Sequence, residues 1–468
     1  MSQHAAFRRR LGRATGLLAV GTFTLFSLAC VDAKENLLTA VDPDLINPQD
    51  VLSPDGANAL RLGTLSRLRT ATAASDGDWL FGGLLADEWS TSSTFVQNDE
   101  ADERSMLENN GTVTSFYRNL NQVRTAANQA IAALRIYAPT PASNIAEMYF
   151  ARAFVEMQLA QDFCSGLSVS DGVNNVAGGP LTNDQVFNMS LASYDSAIAI
   201  ATATDAATVL IKNSAMVGKA RAYIGLNNHA AAVALVAAIP TTFTYDVTFA
   251  TSSGDNILWS QPASSRRYTV GDSLEGNARN LVLTGAIPFF SAKDPRLPVV
   301  YTTSGTGGKD TLRSQDGLTF SRTTTLWGRT TSVPIVNGID ARMVEAEAKA
   351  KAGDAAGSLA ILNALRAAPP KLGDVQATAA QLPPLTAAAT TAGAIDQFFR
   401  EKAFWTFSRG QRLSDVRRLM RQYGRSQAST YPTGQHYRGL PYGTDVVFQV
   451  PTDERNNPKS TGCTNRLP

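Results

Sequence analysis

The chain has 468 residues, 44% hydrophobic and 18% charged, which suffices for one large core and argues against intrinsic disorder. Its formal net charge of +2 includes Arg8, Arg9, Arg10 and Arg13 of the first segment; without them 38 basic residues face 40 acidic ones, a net of −2. That balance gives no reason to expect a basic face for nucleic acid. Alanine is frequent, in runs such as Ala230-Ala231-Ala232, and it is the best helix former, so a mainly α protein is expected.

Residues 1–29 read as an export signal: a basic start from Met1 to Arg13, then the uncharged stretch Ala14–Ala29. Those sixteen residues fall short of the ~20 needed to cross a bilayer as a helix. Cys30 follows Ser27-Leu28-Ala29, which resembles a lipoprotein signal in which the Cys is acylated, although Leu stands one place late. Acyl chains contribute roughly 0.8 kcal/mol per buried methylene, so several of them anchor firmly. Residues 30–56, with Asp42-Pro43, Asn47-Pro48 and Ser53-Pro54-Asp55-Gly56, read as a tether and turns.

Residues 57–74 carry Leu60, Leu65 and Leu68 at helical spacing, with Asp55 as candidate cap. Residues 75–112 read as loop with short helical turns. Long helices are predicted over 114–138, 145–163, 187–203 and 208–226. The stretch 214–239 has tetratricopeptide character: small Ala220 and Ala232 at the helix contact, Asn227-Asn228 at the turn. Residues 340–366 give a similar hairpin around Gly353-Asp354, with Ala346 and Ser358 as contacts. Residues 240–335 are rich in Thr, Ser, Gly and Pro and read as a loop-rich subdomain with short strands, inserted in the helical frame. A Pro/Ala/Thr stretch covers 369–392, a helix broken near Gly410 covers 395–423, and 424–468 is mostly extended.

Four stretches in order resemble the SusD/RagB family. They are Ala146-Glu147-Met148-Tyr149-Phe150-Ala151-Arg152-Ala153-Phe154, running on to Gly166; Ile339 to Ala348, followed by Gly353 and Leu362-Asn363-Ala364-Leu365-Arg366; Gly410-Gln411-Arg412-Leu413-Ser414-Asp415-Val416-Arg417-Arg418; and Val450-Pro451 to Asn457-Pro458. Trp405 and Arg409 depart from the family, which often has Glu there. The resemblance implies tetratricopeptide-like helix hairpins over 57–468 and lipidation at Cys30. It further implies an outer-membrane position facing the exterior and a SusC-like TonB-dependent transporter as partner. The function implied is capture of a nutrient, glycan or another oligomer, without catalysis. The alternatives are a tetratricopeptide-type scaffold lipoprotein that binds a protein, and a secreted glycoside hydrolase. Arg412 and Asp415, three apart, are within reach across one turn and are expected to fix the helix junction after Gly410.

With Cys30 acylated, Cys164 and Cys463 remain. In an oxidising compartment they are expected to pair and staple the C-terminal tail to a mid-chain helix end; the other reading is two free thiols. Little else points to chemistry. The histidines are His4, His229 and His436, no zinc-type spacing occurs, and no metal or cofactor is expected. Gly305-Thr306-Gly307-Gly308-Lys309-Asp310 lacks the first Gly and the Ser/Thr of a phosphate loop. Carboxylate pairs such as Asp87-Glu88 and Asp99-Glu100 keep a two-carboxylate hydrolase formally open. The candidate ligand contacts are aromatic: Trp79, Phe81 and Trp89 in one loop-rich segment, Trp259, Tyr268 and Trp327 in the inserted one. A flat ring stacks on the apolar face of a sugar, but each of these residues could equally be core.

Overall fold

Most of the longer helices described here begin where a side chain can accept from backbone N–H groups that the first turn leaves free. In a computed structural model of the protein, Ser53 accepts from Gly56 N at 3.0 Å and caps α1 (Pro54–Thr72); Asp55 sits in the first turn and is not the cap. The description covers residues 52–74, 77–170, 178–272, 285–304, 308 and 310–467, with backbone alone for 274–275 and 281–282. Cys30, the signal segment 1–29 and all but the end of the tether 30–56 lie outside the described residues.

Residues 75–112 are more regular than predicted. They hold α2 (Asp78–Leu85), β1 (Trp89–Thr91) and α3 (Val96–Asp102). All eight residues of α2 are buried, so it carries no polar face and no readable periodicity. Then come α4 (Gly111–Tyr137), α5 (Ala142–Asp162), the short antiparallel pair β2 (Leu167–Ser168) and β3 (Pro180–Leu181), α6 (Asn183–Ile200), α7 (Ala206–Gly225) and α8 (His229–Val236). Asn110, Asp205 and Asn228 cap α4, α7 and α8, and Thr182 with Gln185 forms a capping box on α6. Each helix packs on the next, from α4 to α8, and α1 lies against α4. At Gly218 the backbone of α7 comes so close to α6 that a methyl group would lie 2.4 Å from the Tyr194 hydroxyl.

The chain then leaves the helical frame along β4 (Thr244–Val247). It runs through the turn Ile257–Trp259, π-helical Ser260–Ser265, β5 (Tyr268–Val270), β6 (Leu274–Glu275), β7 (Leu281–Val282), β8 (Val299–Tyr301) and β9 (Arg322–Thr324). It returns along β10 (Val333–Asn337), which pairs antiparallel with β4, Thr244 opposite Asn337 and Val247 opposite Val333. Asn337 and Asp340 form the capping box that starts α9 (Gly338–Lys351), followed by α10 (Ala355–Ala367), α11 (Thr391–Trp405) and α12 (Arg412–Tyr423). α9 packs on α8, α10 and α11, so the stack of hairpins resumes after the insert. The fold is mainly α, built of stacked helix hairpins, as expected.

The junction between α11 and α12 is held differently from the expectation. Arg412 does not bridge to Asp415. Its guanidinium grips Asp87 at 2.6 and 2.8 Å, and Asp415 takes Lys402 and Arg418, each at 2.6 Å. Arg409 donates to both oxygens of Asp340, at 3.1 and 2.8 Å. Arg418 also pairs with Glu347. Gly410 has φ +63°, and a methyl group there would meet Trp79 Cδ1 at 2.1 Å, which explains the Gly at the break.

At the C-terminal end of α5, Cys164 is joined to Cys463, with Cα atoms 5.6 Å apart across 299 residues of sequence. The tail follows the same path: Cys164 N donates to Phe448 O at 2.8 Å, and Ser165 bridges antiparallel to Asn465.

Candidate functional site

Five of the six aromatic residues singled out in the sequence are core, a correction to their expected place on a ligand face. Trp79, Phe81, Trp89, Tyr268 and Trp327 expose 0–2% of their surface. Trp79 seals the Gly410 junction, and Phe81 packs on Phe116 and Phe448 at ring spacings of 5.7 and 6.1 Å. The structure brings Trp89 and Tyr268 together edge to face at 6.5 Å, while Trp89 Nε1 donates to Ser408 Oγ at 3.0 Å. Trp327 lies against Gly373. Large rings bury the most apolar area, and the core claims them first. Trp259 alone of the six is half-buried.

The carboxylate pairs are likewise committed within the protein. Asp87 holds Arg412 and accepts from Ile287 N at 2.8 Å. Glu88 accepts from Ser408 N at 2.7 Å, and burial pushes its carboxyl up to about 8. Asp99 accepts from Thr91 Oγ1 at 2.9 Å and pairs with Arg438 at 3.1 Å; Glu100 accepts from Asn110 Nδ2 at 2.8 Å. Among the described residues no group of His, Cys, Asp and Glu is placed to hold a metal ion, and no helix is long and apolar enough to cross a membrane.

Rings that do reach solvent gather on the loops of the insert and its neighbours. β1 pairs antiparallel with β5, and Ser92 N extends the ladder to Arg267 O at 3.0 Å. Beyond it the chain turns out, leaving Phe95 42% exposed with the Arg267 guanidinium 4.6 Å from its centroid. β8 pairs with β9, Tyr301 opposite Arg322. One bridge further along, Arg313 stands opposite Phe320, and its guanidinium lies 5.1 Å from that ring. Phe290, Tyr301 and Phe320 follow one another edge to face at 5.3 and 6.3 Å. Arg266 Nη1 donates to Arg313 O at 2.8 Å and links this strip to the Phe95 loop. Sequence reading missed Phe95, Phe290, Tyr301 and Phe320; their only signal was a ring near a basic residue in a Thr/Ser-rich stretch.

The loop 433–442 braces this face from behind. Arg438 joins Asp99, Asp316 Oδ2 at 2.8 Å and Ser93 O at 2.7 Å, tying α3 and two loops to one guanidinium. Next to it, His436 is fully buried, with Nε2 at 2.9 Å from Asp102 and Nδ1 at 3.4 Å from Glu103. The Tyr437 and Tyr442 rings flank it at 4.6 and 5.2 Å. Burial disfavours the imidazolium, but the two carboxylates outweigh it and hold the ring up to about 9. Because this value lies above that of an unfolded His (~6.5), the stabilisation is complete below that pH and is lost as pH rises through about 9. Thermal unfolding at pH 6 and pH 9.5 should therefore show a larger drop in Tm for the parent than for His436→Gln. Equal drops would mean that the ring carries no charge at pH 6.

No protein-family profile matches the sequence, and no curated protein is significantly similar to it. The fold does have solved counterparts. A SusD-like protein from Bacteroides fragilis superposes with a TM-score of 0.63 at 12% identity, covering 90% of this chain and 98% of its own. A SusD-like carbohydrate binding protein from the same organism gives 0.63 at 13% identity, covering 87% and 98%. A SusD superfamily protein from Bacteroides vulgatus gives 0.60 at 13% identity, covering 88% and 99%. Likeness at this identity establishes that the chain has the SusD-like fold.

Proposed function

We propose that this chain is a surface lipoprotein that captures a glycan on the Phe95–Phe290–Tyr301–Phe320 face and passes it to a TonB-dependent barrel of the SusC type. One observation carries the reading: a SusD-like helical frame presents exposed rings on rigidly braced loops. Edge-to-face rings with polar neighbours offer flat apolar faces for sugar C–H groups, while guanidiniums and backbone groups orient hydroxyls. The carbohydrate-binding solved counterpart supports the ligand class. Binding without turnover fits a face whose nearby acids Asp99 and Asp316 are held by Arg438.

Binding to a glycan array, followed by calorimetry on the best hit, tests the ligand face. Tyr301→Ala and Phe95→Ala should each weaken binding by about 1–3 kcal/mol, by analogy with the loss of one stacked ring. Both residues are exposed, so their folding should be unchanged. Parent-like affinity in both variants would remove the face from the reading, and release of shortened sugars would replace capture by hydrolysis.

The anchor is proposed at Cys30 and the location at the outer membrane. Cys30→Ser should move the protein from the membrane pellet to the soluble fraction and abolish labelling by a fatty-acid probe. Recovery of the variant in the membrane, unlabelled, would argue for another mode of attachment.

A further inference from the structure

The ring strip carries charge of one sign. Lys293 Nζ lies 3.5 Å from the Phe290 centroid, and the Arg322 guanidinium covers the same ring at 5.2 Å. Arg313 covers Phe320 and Arg267 covers Phe95. Arg266 sits between them, bonded to the Arg313 carbonyl. None of these five cations forms an ion pair with a described carboxylate. Of the described acids in the same segment, Asp294 is taken by Arg296, Asp316 by Arg438, and Asp272 accepts from Ser291; Asp310 pairs with no described cation.

Arg322 sharpens the point. It is 1% exposed, yet its Nε and Nη2 have no hydrogen-bond partner. Of the other deeply buried guanidiniums, Arg296, Arg409, Arg412 and Arg418 are matched by carboxylates, and Arg104, Arg221 and Arg417 donate to backbone carbonyls and each leave one nitrogen unpartnered; Arg322 leaves two. Leaving a buried guanidinium without an acceptor is costly, and bidentate carboxylate or sulfate groups are what its geometry accepts best. The orphan lies 5.2 Å from the Phe290 centroid and opposite the exposed Tyr301 in the strand pair.

We propose that the glycan taken on this face is polyanionic, carrying carboxylate or sulfate groups that bind Arg322, Lys293, Arg313, Arg266 and Arg267 while its sugar rings stack on the aromatic strip. This rests on the glycan-capture reading. A single-stranded nucleic acid would also suit rings interleaved with cations, and the solved carbohydrate-binding counterpart favours a glycan.

The test uses the exported full chain and matched polymers: polygalacturonate against its methyl ester, alginate, and dextran sulfate against dextran, with oligo-dT as the non-glycan polyanion. Dissociation constants are measured at 50 and 300 mM NaCl. At least one acidic polymer should bind ten-fold or more tighter than its neutral counterpart and than oligo-dT, and the gap should narrow at high salt because screening shortens the reach of exposed charge. Preference for the uronates over dextran sulfate assigns carboxylate as the group, the reverse assigns sulfate. Arg267→Gln/Arg313→Gln, at a half-buried and an exposed position, should lose ten-fold or more toward the acidic polymer with an unchanged circular dichroism spectrum. Equal binding of charged and neutral polymers, or a double variant with parent affinity, overturns the charge assignment while leaving glycan capture standing. Binding of oligo-dT alone, or of no polymer in either charge state, overturns capture as well.

Discussion

Asp340→Ala should lower the unfolding free energy by about 3–5 kcal/mol, the usual cost of stripping one partner from a buried ion pair. Asp340 is buried and accepts from Arg409 twice, from Gln411 Nε2 at 2.9 Å and, as part of the capping box of α9, from Asn337 N at 2.9 Å. Removing it leaves the Arg409 guanidinium buried without its carboxylate and uncaps the helix on which the second half of the frame is built. Urea unfolding of the purified protein reads the loss. Arg409→Met/Asp340→Leu is the informative companion: an apolar pair of similar volume leaves no orphan charge, so it should recover most of the stability. Should Asp340→Ala fall within 1 kcal/mol of the parent, the pair does not hold the frame. Acid should act as the mutation does. Burial would raise the Asp340 carboxyl, but Arg409 and Arg221 outweigh it and hold it below the usual range. The contribution is therefore present above the unfolded value (~3.9) and fades as pH falls through the lowered one.

Opening the Cys164–Cys463 bridge is expected to cost about 2–5 kcal/mol. The bridge closes a loop of 299 residues, and long loops give the unfolded chain the most freedom to regain. It also pins the tail segment whose Phe448 packs against Phe81, Phe116 and Phe163 in one ring cluster. Cys463→Ser, or reductant added to the parent, should lower Tm and speed hydrogen exchange over residues 446–465. A Tm indifferent to reductant would show that the tail is held by its packing alone.

The helical frame was legible because its residues obey one period. Phe116, Leu120, Val123, Ala127, Ile131 and Leu134 all point inward from α4, and the hairpin turns at Asn227 and Gly353 fall where backbone with positive φ is required. α2 was hidden for the opposite reason: every side chain is buried, so no alternation marks it. Tryptophan is a poor signal for the proposed ligand face because its large ring is the first to be claimed by the core. Trp79 and Trp89 lie in a segment that reads as loop, yet both fill the core beside Gly410 and Phe407. The rings that reach solvent are smaller and scattered between positions 95 and 320; they meet only through strand pairing and the Arg266–Arg313 link, which no local pattern encodes. Arg412 and Asp415 show the same limit. Three residues apart on one helix, each prefers a partner from elsewhere in the chain.

The pairing of β4 with β10 bears on how much of the insert is free to vary. Entry and exit of the 240–335 excursion meet at one doorway, Thr244 beside Asn337, and the excursion is tied back to the frame at β1–β5, at Ile287 N to Asp87 and at Arg296 to Glu401, so only the turns between these ties are free of the scaffold. Since lengthening a surface excursion costs only about 0.6 kcal/mol per doubling, those untied turns can change in length and content at small cost to the frame. Such an arrangement lets the skeleton persist at 12–14% identity while the free turns of the insert drift.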